Sequence, residues 1–130
     1  MEILSFEECV DCLGQVPVGR IAITVEALPV ILPVNFAFAD DSIYFRTVPG
    51  TKLAAATSRV VVAFEVDSYE SDGQAGWSVL VQGMARIVTD GPTLERIIRA
   101  KLDAWALHGE ADHVVRLEMS TITGRRIDRQ

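Results

Sequence analysis

The chain is short of cysteine, histidine and basic charge, and each shortage removes a class of function. Two cysteines and two histidines are too few for a disulfide framework, and they are not spaced for a structural zinc site. Lys and Arg number 12 against 18 Asp and Glu, a net charge of −6 with a pI near 4.8. A nucleic-acid partner would need the opposite field. No run of about 18 apolar residues occurs, so no membrane span is expected. The start of the chain, with Glu2, Glu7 and Glu8, has no basic-then-apolar leader, and the expected location is the cytoplasm. Internal repeats, low-complexity tracts and linkers are also missing, so residues 1–130 read as one domain.

What is present is a globular composition. Apolar residues make up 49% and charged residues 23% of 130 positions, enough for one core without staples. The apolar share is high for so small a domain, and part of it is expected to cover a subunit interface.

Cys9 and Cys12 form a lone C-x-x-C. Ser5-Phe6-Glu7-Glu8 has the pattern of a capping box, which places both thiols inside the helix it opens. Phe6, Cys9, Val10 and Leu13 then share one face. Burial of two small apolar side chains is the expectation, rather than redox chemistry.

Strands are expected over 19–25, 29–38, 42–47, 60–67, 77–88 and 114–127, separated by turns at 26–28 and 40–41 and by a polar loop over 68–75. Helices are expected over 6–12, 51–57 and 92–105. The last has Leu94, Ile97, Ile98, Leu102 and Trp105 as its stripe and Glu95–Arg99 as an outer pair. Gly83 interrupts the fifth strand, where a bulge or a close backbone approach is expected. Six strands in hairpin order predict a mainly β, antiparallel barrel with peripheral helices.

The segment Phe45-Arg46-Thr47-Val48-Pro49-Gly50-Thr51-Lys52-Leu53 is the most telling. It ends a strand, turns at Pro49-Gly50 and opens a helix. One guanidinium, one ammonium and two hydroxyls lie close to a helix start, a combination suited to phosphate. The same residues would also serve as an ordinary solvated corner.

The order Val18-Gly19-Arg20-Ile21-Ala22, Pro33-Val34-Asn35-Phe36, Ile43-Tyr44-Phe45-Arg46-Thr47, Gly50-Thr51-Lys52-Leu53, Gly76-Trp77-Ser78-Val79, Gly83-Met84-Ala85 and Thr123-Gly124-Arg125-Arg126 resembles the pyridoxamine 5′-phosphate oxidase-like family, in a short actinobacterial-type member. The resemblance runs over essentially the whole chain. It implies an FMN-binding, six-stranded antiparallel split β-barrel that forms a homodimer, with flavin at the subunit interface. By similarity Arg46, Thr47, Thr51 and Lys52, with Leu53 beside them, would hold the FMN phosphate. Pro33, Val34 and Asn35 would line the isoalloxazine ring, and Trp77, Ser78, Gln82 and Arg125 would complete the site. Core or dimer packing for Trp77 and plain solvent exposure for Gln82 are the competing roles. Asn35, an amide in an apolar strand, needs a partner.

The implied activity is FMN-dependent hydride transfer to or from a small organic substrate. The alternatives are a non-catalytic flavin- or haem-binding module and a deazaflavin-dependent reductase, for whose acidic coenzyme tail Arg20, Arg86 and Arg116 could form a patch. The Arg-Leu-x-Pro motif of the family's namesake enzyme has no counterpart in Ile122-Thr123-Gly124-Arg125-Arg126-Ile127. The expected activity is therefore not pyridoxamine phosphate oxidation itself. The residues name no general acid, and Tyr44 is expected to pack in the core.

Overall fold

The computed structural model describes residues 1–47, 50–93, 95–96 and 113–128. Most of the helix expected over 92–105 lies outside the described residues. The elements are β1 (Glu2–Ile3), α1 (Phe6–Leu13), β2 (Val18–Val25), β3 (Leu28–Asn35), β4 (Ala37–Ala39), β5 (Ser42–Thr47), α2 (Lys52–Ala56), β6 (Val60–Tyr69), β7 (Gly76–Ile87) and β8 (His113–Ile127). The fold class is the expected one: mainly β, antiparallel and curled into a split barrel.

The strand count differs from six. Among the described residues eight strands form one sheet ordered β3-β2-β6-β7-β8-β5-β4, with β1 pairing β8 off that path. The extra strands have two causes. β1 is a two-residue pairing of Glu2 and Ile3 with Arg126 and Arg125. The single strand expected over 29–38 breaks at Phe36, whose N–H donates to Pro17 O at 3.4 Å. Before the break the chain pairs with β2, and after it with β5. One continuous run of chain thus forms both ends of the sheet path, and this is how the curl closes.

Alternation along the strands sets the two faces. In β7, Val79, Val81, Gly83 and Ala85 are buried, while Leu80, Gln82 and Arg86 are exposed. The inner face holds Ile21, Ile43, Phe45, Phe64, Val66, Val79, Val81 and Leu117. Each such side chain contributes about 1.5–3 kcal/mol by leaving water. Phe36 meets Phe64 edge to face, with centroids 4.8 Å apart. Gly19 lies under that ring, where a Cβ would come within 2.2 Å of it.

The bulge falls where Gly83 predicts it, as a register shift between Gln82 and Gly83 against β8. A Cβ at Gly83 would stand 1.7 Å from the Glu118 carbonyl oxygen. Two tight hairpin loops hold non-glycine residues in the left-handed region: Glu26 and Ala27 at φ 51° and 69°, and Asp40 and Asp41 at φ 52° and 54°. Positive φ at both central residues matches the right-handed twist of the flanking strands.

α1 begins at the expected capping box. Ser5 N donates to Glu8 Oε1 at 2.9 Å, and Glu8 N donates to Ser5 Oγ at 3.2 Å. Cys9, Cys12 and Leu13 are buried as expected. Phe6 is not, being 49% exposed. Burial raises both thiols above their ordinary range, consistent with packing rather than thiolate chemistry. Arg126 reaches Glu2 at 3.4 Å and Glu8 at 3.5 Å, tying the first strand and helix to β8.

Candidate functional site

The cross-strand register brings five of the expected site residues onto one outer face. Residues paired in a ladder share a face, and neighbours along a strand take opposite faces. One row runs Asn35–Val18 and Asp67–Ser78–Arg125. The next runs Pro33–Arg20–Glu65–Leu80. A third runs Ile31–Ala22–Ala63–Gln82–Thr121. Asn35, Pro33, Ser78, Gln82 and Arg125 are thus neighbours across β3, β2, β6, β7 and β8.

The middle of this face is a cavity of about 340 Å³ walled by Ala22, Ile31, Ala63 and Leu80, with Arg20, Glu65 and Asp67 at its polar side. Arg20 Nη1 donates to Glu65 Oε1 at 3.3 Å and to Asp67 Oδ2 at 3.1 Å. Burial and the neighbouring Asp67 carboxylate push the Glu65 carboxyl up to about 7, outweighing the opposing pull of Arg20. The site therefore contains a carboxyl group that exchanges its proton near neutrality. The sequence offered no acid. Glu65 could be found only once the β2–β6 register set it beside Arg20 and Asp67.

Other expectations separate. Trp77 and Val34 face inward and pack against the core, so Trp77 stands on the opposite side of β7 from Ser78 and Gln82. Packing is its observed role. Gln82 is exposed, and its Oε1 accepts from Thr121 Oγ1 at 3.1 Å. Asn35 is exposed rather than enclosed, so water can satisfy its amide and the argument that it needs a protein partner falls away.

At the expected phosphate corner, Arg46 and Thr47 take opposite faces of β5. Thr51 is the N-cap of α2, and its Oγ1 accepts from Ala54 N at 3.2 Å. Lys52 is exposed and lines a cavity of about 280 Å³ with Thr24, Glu26 and Ala55. Leu53 packs on the core. Gly50, at φ 82°, makes the turn. Val48 and Pro49 lie outside the described residues.

Two buried polar atoms at this corner lack hydrogen-bond partners among the described residues: Thr47 Oγ1 and His113 Nδ1. Thr47 and His113 are paired directly across β5 and β8, so both atoms belong to one spot. Unpaired buried polar atoms are uncommon and call for an explanation. A hydroxyl and an imidazole nitrogen beside a strand end suit an anionic oxygen that accepts from both. Sequence reasoning weighed His113 only as a metal ligand, because its pairing with Thr47 is a matter of register. Tyr44 is buried as expected, in a second cluster with Ala37 and Val114, and its hydroxyl also lacks a partner among the described residues.

The comparisons with known proteins agree with this architecture. A family model described as pyridoxamine 5′-phosphate oxidase matches residues 5–126. The chain belongs to that family. Among solved structures of related chains, the FAD binding protein from Mycobacterium smegmatis is 39% identical with a TM-score of 0.83, covering 98% of both chains. An FAD-binding protein from Mesorhizobium loti is 25% identical with a TM-score of 0.75, again covering 98% of both. An uncharacterized protein of Mycobacterium tuberculosis is 36% identical over 129 residues, 95% of this chain and 84% of the relative.

Proposed function

We propose that the protein binds a phosphate-bearing flavin and is an oxidoreductase for a small organic substrate. The observation that carries this reading is the pair of buried atoms without partners among the described residues, Thr47 Oγ1 and His113 Nδ1, at the strand end where a phosphate is expected. Membership of the family and two FAD-binding relatives support it. FMN is the cofactor implied by the sequence resemblance. FAD contains the same ribityl phosphate, so one corner serves either.

In this reading Arg46, Thr47, Thr51 and Lys52 hold the phosphate, and His113 joins them. Pro33 and Asn35 line the ring from β3, and Val34, which faces the core, does not. Ser78, Gln82 and Arg125 supply polar contacts from the same outer face. Flavin supplies the hydride chemistry, and the protein supplies position and charge. Glu65, titrating near 7, exchanges the proton that accompanies hydride transfer, and Arg20 orients it.

The outer face also exposes Ile31 (68%), Val61 (68%) and Leu80 (37%). A second copy related by a two-fold axis would cover these side chains and complete each site from two chains.

The test is direct. Purified protein should be yellow and should release FMN or FAD, identified by mass, on denaturation. Protein that is colourless and binds neither added flavin would overturn the reading. Anaerobic reduction with NADH, NADPH and a reduced deazaflavin in turn then identifies the electron donor and separates a turning-over enzyme from a storage module.

A further inference from the structure

A second polar recess lies between the start of β6 and the end of β7. Its volume is about 330 Å³, and it is lined by Ser58, Arg59, Arg86, Ile87 and Thr89. That is room for a small ligand. Among the described residues no carboxylate lines it, and neither Arg59 nor Arg86 makes an ion pair. In a chain with 18 acidic and 12 basic side chains, two neighbouring arginines without a carboxylate stand out.

Their placement is imposed by the main chain. The β7–β8 register sets Arg86 directly opposite Arg116, and like charges in that position repel. Arg116 is occupied elsewhere, its Nε donating to Ser42 Oγ at 2.9 Å. Arg59 is held in the left-handed region at φ 59°, a conformation unfavourable for any residue but glycine. Its N–H donates to Ala85 O at 2.8 Å, which pins it beside the residue preceding Arg86. The fold thus brings both arginines to one recess, with Arg86 set opposite a like charge and Arg59 held in an unfavourable backbone conformation.

We propose that this recess is a binding site for a phosphate group carried by an organic ligand. Arg59 and Arg86 are its charged contacts, and the Ser58 and Thr89 hydroxyls are further donors. Two forked guanidiniums and two hydroxyls offer more donors than a single carboxylate can use, and they match the oxygens of a phosphate. The phosphate has two possible sources of identical chemistry. Arg86 is four residues along β7 from Gln82, about 13 Å on the same face, within reach of the tail of a dinucleotide. A separate phosphorylated metabolite would use the same contacts. The site does not depend on a flavin being bound.

Isothermal titration of the full chain with adenosine 5′-monophosphate and with inorganic phosphate at low salt tests the proposal, with FMN and FAD titrated in parallel. The expected result is AMP binding that falls at least tenfold in both Arg86→Gln and Arg59→Gly. Arg59→Gly guards against a folding artefact, because glycine accepts the left-handed backbone and the melting temperature should hold or rise. Weaker FAD binding with FMN unchanged assigns the phosphate to a dinucleotide tail. Weaker AMP binding with both flavins unchanged assigns it to a separate ligand. If AMP, phosphate and FAD all fail to distinguish wild type from either variant, the proposal is wrong.

Discussion

Thr47 and Lys52 give the flavin reading its sharpest residue-level tests. Thr47→Val removes a buried hydroxyl that has no partner among the described residues. Such a replacement is neutral or stabilising for the free protein. If the hydroxyl serves a phosphate, FMN affinity falls about tenfold while the melting temperature does not. Lys52→Ala and Arg46→Ala each should weaken FMN by about 1.5–3 kcal/mol, roughly ten- to a hundredfold, and leave riboflavin nearly unaffected. Equal losses for both ligands would mean that the variants merely loosen the barrel. Glu65 makes a prediction about pH. Its folded carboxyl titrates at about 7, against an ordinary value of 4.5. Between those values the unfolded chain has given up a proton that the folded chain retains, so stability falls as pH rises through that window and is fullest below it. Glu65→Gln should flatten this slope in denaturant titrations run across the same window. An unchanged slope would show that Glu65 does not hold its proton to near neutrality.

At the scale of elements, the turns and the bulge can be challenged separately. Ala27→Gly should add about 0.5–1 kcal/mol, because glycine adopts the left-handed backbone of the β2–β3 loop without a Cβ penalty. Gly83→Ala should cost about 3 kcal/mol or more in chemical denaturation, since its Cβ would meet the Glu118 carbonyl, a main-chain atom that cannot swing away. A near-neutral Gly83→Ala would mean that β7 and β8 can slide past the bulge. The same elements show why the sequence was readable where it was. Period-two alternation in β7 and the single glycine within it placed the strand, its faces and its bulge. The capping box placed α1. The break at Phe36 carried no proline or glycine, so one strand was expected where two exist. Site assignments followed the same divide. Ser78, Gln82, Pro33, Asn35 and Arg125 came from a resemblance, and their convergence depends on register. Glu65, His113 and Arg59 were not found, because no local pattern marks a residue whose importance arises from the strand beside it.

For the whole molecule, the exposed apolar face predicts self-association. Sedimentation at micromolar concentration should give a dimer, and Ile31→Glu with Leu80→Glu should yield a monomer with weakened flavin binding. A stable wild-type monomer would remove the two-chain site. The sheet order has a further consequence, for synthesis. β8 lies between β7 and β5, and until it exists β5 has only the three-residue β4 beside it. Among the described strands, the one made after all the others is therefore the one that joins β3-β2-β6-β7 to β5-β4. A nascent chain must wait in two unjoined halves with open strand edges, which are templates for aggregation. Slow elongation before His113 would prolong that wait, so the yield of native protein should depend on how quickly the fifteen-residue β8 is delivered.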